Sequence, residues 1–346
     1  MASRKKSRKK QTGKFSTVAL VLAATASLSL CYLLFGSMAR QGKRQYIYID
    51  DDDNMDSVCT KLAPLSTAYG MATFKMLAGI GSYASNIKTG RYEVGSSGAL
   101  MTFRRMRNGM QAPVSITIGS VRTTDKLAHM VSRKLMFSSD ELLRLLRDKD
   151  VCGKYGYTPD NVIAMFIPNT YDIYWNSSAS SFLDRMQKES KRFWTAERRE
   201  KASTAGLSPL QVMTLASIVA EETANEEEMP SVAGMYINRL EKGMLLQADP
   251  TVKFATRQFE ARRIYNSMLR VDNPYNTYRY KGLPPGPIRI PTVAAIDAVL
   301  NYRHHDYLYM CAKEDFSGTH NFASTYEEHK KNAARYAKAL NERGIK

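Results

Sequence analysis

From 15 to 36 the chain carries no charged residue. A run of that length is about what a helix needs to cross a bilayer core of roughly 30 Å, so the pattern predicts a membrane-spanning helix at 15–36 behind a tail at 1–14. Beyond it the hydrophobic positions change period. Residues 46–49 read as a strand, and the acids Asp50 to Asp53 as a solvated turn whose charge caps a helix running to Leu62. Gly90–Val94 reads as a second strand and 98–109 as an amphipathic helix closed by its glycine. Together these predict a small α/β module over 45–112.

Val114–Ile118 alternates as a strand and opens a larger region, 113–346. Thr123 caps a helix to about 135, and Ser138 with Glu141 caps another to 148. Residues 166–171 read as a loop and 180–201 as one long basic helix with a solvated charged face. Ser208-Pro209 starts a helix that ends at Glu222, and Met229-Pro230-Ser231 leads into one that stops at Gly243. Asp249-Pro250 reads as a turn, and the prolines of 282–288 as a rigid wall. Strands at 307–310 and 320–322 precede a closing helix begun by a capping box at 324–327. The predicted class is α+β: an N-terminal transmembrane helix, a small α/β module and a larger mixed α/β domain.

Composition adds direction. The chain has 346 residues, 44% hydrophobic and 24% charged, which suits a folded protein with room for two domains. Lys and Arg outnumber Asp and Glu by 50 to 33. The densest cations are the seven of residues 1–14, where no acid accompanies them. Short positive segments are translocated poorly, so the tail is expected in the cytoplasm and everything after Arg40 outside it. Arg40, Lys43 and Arg44 on the far side weaken that contrast without reversing it. Nucleic acid is not an expected partner, because the cations belong to the topology signal. A cleaved signal peptide is the alternative; the apolar run is long for one and no small-x-small site closes it. Cys31, Cys59, Cys152 and Cys311 match no metal spacing and read as free or buried thiols, so neither a metal nor another cofactor is expected.

One helix carries the candidate chemistry. At about 100° per residue, Val212, Leu215, Ile218 and Val219 fall on the same side as Glu222, while Glu221 falls beside Thr214 and Ser217. A carboxyl on an apolar face either finds a partner, for which Arg239 is the candidate, or has its pKa raised until it stays protonated, as a general acid requires. The periodicity leaves both open. Glu226, Glu227 and Glu228 read as a solvated acidic loop. The Tyr and Asn residues of 273–278 suit stacking on sugar faces and bonding to hydroxyl and acetamido groups. His320 is expected to hydrogen-bond within a cleft; His329 is the other histidine open to a functional reading.

The blocks LASIVAEETANEEEMPSVAGMYINRL, LLQADPTVKFA, NPYNTYRYKGLPPGPI and GTHNFASTYEEH, in this order, resemble the endolytic murein transglycosylases of the MltG (YceG-like) family. Looser resemblance extends upstream to nearly the whole part after the apolar run. The resemblance implies a LysM-like module at 45–112 and a YceG-like catalytic domain at 113–346, outside the cytoplasmic (inner) membrane on its periplasmic side and held by a single-pass anchor. It implies lytic transglycosylation in nascent peptidoglycan glycan strands: the MurNAc-GlcNAc bond is cut to leave 1,6-anhydro-MurNAc ends, which would end glycan elongation. The family's catalytic glutamate, second in a Glu-x-Glu-Thr stretch, maps onto Glu222; Ala220 stands where the first would be, so that partner's part is either dispensable or supplied by Glu221. Asn238, Gln247, Asp249, Tyr275, Asn276, Thr277 and Tyr278 match the cleft-forming blocks and, with His320, are the expected substrate-binding residues. Peptidoglycan synthases are the partners implied. Two other functions fit: a hydrolase using water, with Asp249 or Glu221 as second carboxylate, and a non-catalytic glycan-binding scaffold.

Overall fold

The computed structural model describes residues 4–40, 44–95, 97–261 and 263–344. The first three residues of the basic tail and Lys43 lie outside it, as do the side chains before Thr17. The chain forms two compact units, residues 1–114 with 172–176, and residues 115–171 with 177–346.

The first unit begins with α1 (Arg4–Phe35), within which Thr17–Phe35 is long and apolar enough to cross a membrane and is exposed along its length. The helix starts earlier than the apolar run because Lys and Arg are good helix formers. Strands β1 (Gln45–Ile49) and β2 (Gly90–Val94) pair antiparallel, with Ile47 opposite Tyr92. Between them lie α2 (Met55–Leu62) and α3 (Ala68–Ile80), and α4 (Gly98–Asn108) follows, closed by Gly109 at φ 69°. The alternating strand residues and one face of each helix bury a core that includes Ile49, Leu62 and Met106. Within it Phe74, Tyr83 and Phe103 meet edge to face. The cap of α2 is Asn54, whose side chain accepts the N–H groups of Asp56 and Ser57. The preceding acids do other work: Lys61 bridges Asp50 and Asp53 across the turn. Residues 172–176 complete this unit from a distance in sequence. Trp175 stands edge-on to Tyr48, and the Asn176 amide donates to the Thr89 carbonyl.

The second unit starts within β3 (Val114–Ile118), which pairs with β4 (Asn169–Ile173), so the predicted loop at 166–171 is half strand. Between these come α5 (Thr124–Ser132), α6 (Ser139–Arg147) and α7 (Lys149–Lys154). The predicted long basic helix is two helices, α8 (Ala179–Phe193) and α9 (Ala196–Thr204). Trp194 turns into the core, 5% exposed, and Thr195 caps the new helix by accepting the Arg198 N–H. Next come α10 (Pro209–Glu222), α11 (Met229–Glu241), α12 (Asp249–Thr256), the short α13 (Asn266–Leu269) and α14 (Val293–Leu300). Strands β5 (Tyr309–Ala312) and β6 (His320–Ala323) pair antiparallel, and α15 (Tyr326–Glu342) ends the unit.

Helix α10 is the axis of this unit and packs on both α11 and α14. Every residue from Val212 to Val219 is buried. The polar flank expected from periodicity is therefore inside the protein: Thr214 donates to the Leu210 carbonyl, and Ser217 donates to the Thr214 carbonyl while accepting the Ile288 N–H. Gly234 of α11 lets that helix lie against the Arg303 carbonyl, a space a β-carbon would fill.

Candidate active site

Helix α10 runs out at Glu222 because Thr223 turns extended, with φ −143°. The last two residues of the helix are both carboxylates, and they meet different partners. Glu221, with 16% of its side chain exposed, accepts two bonds from Arg122, Nε at 3.0 Å and Nη2 at 3.1 Å, and one from Arg289 Nη1 at 2.5 Å. The two guanidiniums tie the 120–122 and 289–290 segments to the end of α10 through charge-assisted hydrogen bonds.

Glu222 has no cation bonded to it among the described residues. Its Oε1 accepts the hydroxyl of Tyr236, a buried residue of α11, at 2.7 Å. Dense packing around the carboxyl raises its pKa to about 7. The Tyr236 bond opposes that rise, the charge of Asp249 adds to it, and His320 lowers it. The residue keeps some surface open to a cavity of about 240 Å³. A half-protonated carboxyl on the wall of a cavity is equipped to give and take a proton near neutral pH.

Arg239, one turn beyond Tyr236, is 7% exposed and is not the partner that periodicity offered to Glu222. It donates to the carbonyls of Leu308 at 2.6 Å, Leu246 at 2.8 Å and Leu245 at 3.2 Å. It thereby pins the chain on both sides of the cavity, and it lines the cavity itself.

Four of the residues expected at the site line the same cavity as Glu222: Gln247, Asp249, Tyr278 and His320. Asp249 is the first residue of α12, so its predicted turn is a helix start with proline in the first turn; its Oδ1 accepts the Tyr278 hydroxyl at 2.6 Å. Gln247 sits at φ 50°, a left-handed backbone that a glutamine holds only under strain, and its N–H donates to the Thr277 carbonyl. His320 is locked by Glu228: its backbone N–H meets one carboxylate oxygen at 2.6 Å and its Nδ1 the other at 2.9 Å. Nε2 is then the ring nitrogen left for a ligand. Glu228 is buried, not part of a solvated acidic loop.

Asn238, Tyr275, Asn276 and Thr277 are outside that lining. Asn238 donates to the carbonyls of His305 and Tyr307, and Tyr275 to that of Asp160. Asn276, fully buried, donates to Leu269 and Val271, and Thr277 accepts the Ala248 N–H. Tyr275, Asn276 and Thr277 shape the loops that carry Tyr278 and Gln247, whereas Asn238 holds the 305–307 segment. Tyr236 and Glu228 are the residues that sequence reasoning missed. Tyr236 is one apolar residue among many on α11, and Glu228 is one of three consecutive acids, so neither carries a signal in one dimension. Among the described residues no three His, Cys, Asp or Glu side chains gather as a metal site, and the four cysteines are unpaired.

The model of the YceG-like family matches residues 47–335. The endolytic murein transglycosylase of Bacillus subtilis is 33% identical over 168 residues, 49% of this chain and 46% of that protein. That of Streptococcus pneumoniae strain D39 is 27% identical over 203 residues, 56% of this chain and 35% of that one. The aligned part thus spans less than half the length of either relative. A crystal structure of a yceG-like protein from Listeria monocytogenes shares the fold, with a TM-score of 0.56 at 24% identity over 83% of this chain and 98% of that one.

Proposed function

Since the chain belongs to the YceG-like family, we propose that it is a transglycosylase that cuts murein glycan within the strand, with Glu222 as acid and then base. The observation that carries this reading is a single carboxyl, raised to about pH 7 and bonded to a tyrosine, on a cavity wall. Relatives named for the same activity support it.

In the first step the Glu222 proton passes to the glycosidic oxygen between N-acetylmuramic acid and N-acetylglucosamine as the C1–O bond breaks. The C6 hydroxyl of the muramyl sugar then bonds to C1, and its proton returns to the Glu222 carboxylate. The ring closes as a 1,6-anhydro sugar, no water is consumed, and the carboxyl ends in its starting state. The Tyr236 hydroxyl, bonded to Oε1, leaves Oε2 for the substrate. Asp249, Tyr278, Gln247 and the free nitrogen of His320 are the groups that hold sugar hydroxyl and acetamido functions. Asn238, Tyr275, Asn276 and Thr277 support those walls.

The first unit orders its elements strand, helix, helix, strand, which supports reading it as a LysM-like glycan-holding module. Thr17–Phe35 is consistent with a membrane anchor; we place the basic tail in the cytoplasm, the rest outside on the periplasmic side, and peptidoglycan synthases as neighbours there. A hydrolase remains the second reading because Asp249 shares the cavity; Glu221 is not its second carboxylate, being taken by two arginines.

The test is product analysis on uncrosslinked glycan. Wild type releases 1,6-anhydro ends. Glu222→Gln retains fold and glycan binding and loses cleavage by roughly 10² to 10⁴. Normal anhydro release by that variant would sink the assignment, and reducing ends heavier by one water would select the hydrolase.

A further inference from the structure

A second cavity, about 270 Å³, lies at the other end of α12 from Glu222. The first residue of α12, Asp249, lines the active-site cavity, whereas Phe254, Ala255 and Arg257 at its end line the second. Two more connections join them. Tyr275 and Tyr278 of one loop face the second and first cavity respectively, and Arg122 on the second holds the neighbour of Glu222. Eight residues of helix rise about 12 Å, so a ligand that extends along α12 meets both.

The second cavity has an aromatic wall and charged groups of both signs. The Phe254 ring centroid is 4.7 Å from that of Tyr275 and 6.2 Å from that of Phe259, and the Arg122 guanidinium sits 5.6 Å over Phe259. Arg122 is engaged by Glu221, and Asp125 by Arg147 at 2.6 Å. Among the described residues the Arg257 guanidinium and the Asp160 carboxylate have neither a hydrogen-bond nor an ion-pair partner. Arg257 also sits at φ 55°, where a side chain is strained and glycine is not.

We propose that this cavity takes the peptide arm of the glycan, a short chain bearing both carboxylates and a free amine, with carboxylate on Arg257, ammonium on Asp160 and apolar side chains on the aromatic wall. Neutral sugars stack on aromatic rings but do not use an unpaired cation and an unpaired anion lining one cavity; a peptide arm uses both. The proposal rests on the reading of the substrate as murein. Arg122 and Glu221 then tie the occupied cavity to the helix end that carries Glu222.

The test titrates the sugar-free tripeptide L-Ala-γ-D-Glu-L-Lys into the full chain in detergent by calorimetry, and separately a glycan stripped of its peptides into the Glu222→Gln chain. The tripeptide is expected to bind, with Arg257→Gly and Asp160→Asn each weakening it at least tenfold and leaving stripped-glycan binding unchanged. Arg257→Gly suits the left-handed backbone, so the protein keeps its fold without the guanidinium. No tripeptide binding, a loss below tenfold, or an equal loss for the stripped glycan overturns the proposal, the last making the cavity a sugar subsite. Because the readout is binding of a molecule without a glycosidic bond, its failure is distinct from a failure of Glu222 as the catalytic acid.

Discussion

At the scale of single residues, the end of α10 places two carboxylates in different electrostatic surroundings, and pH should expose the difference. Folded, Glu222 keeps its proton to about pH 7; unfolded, it releases it near its ordinary 4.5. Between those values the folded state binds more protons than the unfolded one. The contribution to stability is therefore complete below about pH 4.5 and lost as pH rises through 7, by about 3 kcal/mol at most. Glu222→Gln does not titrate. Its melting temperature relative to wild type is expected to climb between pH 4.5 and 8, and a gap that stays constant across that range would exclude a raised Glu222. A carboxyl whose pKa is raised by burial thus contributes less to the fold at neutral pH, where it ionises, than in acid, a cost that active sites commonly carry.

At the scale of elements, α10 is specified at both ends by local chemistry and between them by burial. Ser208 and Gln211 form its capping box, and Pro209 fits its first turn. Its last turn is held by Glu221, which fastens two separate segments through Arg122 and Arg289. Glu221→Ala leaves two partly buried guanidiniums without their anion and is expected to destabilise by about 2 kcal/mol, between the values for exposed and fully buried pairs. Thermal melting measures this. Below the melting range the variant should still form anhydro ends, since the proton carrier is untouched; an unchanged melting temperature would show that the clamp contributes nothing. Ala220, next to this clamp in sequence, packs against the core.

At the scale of the whole molecule, the apolar helix and the first unit are continuous. Met38 is fully buried in that unit's core, its carbonyl accepts the Thr67 N–H, and Ala39 bridges to Ser66. Residues 38 and 39, just after the apolar helix, are therefore part of the folded module. A chain beginning at Ser37 should leave the membrane fraction and fold, whereas one beginning at Arg44 loses the Met38 side chain and should be less stable by about 2 to 5 kcal/mol. Denaturant melts of the two truncated chains check it, and equal stability would refute the role given to Met38.

The sequence by itself determined what depends on neighbours along the chain. The apolar run at the start of the molecule, the pairs Ser138 with Glu141 and Ser208 with Gln211 at helix starts, and the alternation of Val114–Ile118 are local signals, and the elements formed where those signals lie. Local signals also misled where a buried tryptophan broke a predicted helix and where Asp249-Pro250 began a helix instead of a turn. Periodicity separated Glu222 from Glu221 by supposing one face of α10 wet, and that face is buried too. The tertiary structure gave the two carboxylates different partners by bringing Arg122, 99 residues away in sequence, and Arg289 to one, and the Tyr236 hydroxyl to the other. A pKa depends on the charges and the water within a few ångströms, and those distances are set only when α10, α11 and the 120–122 and 289–290 segments pack together.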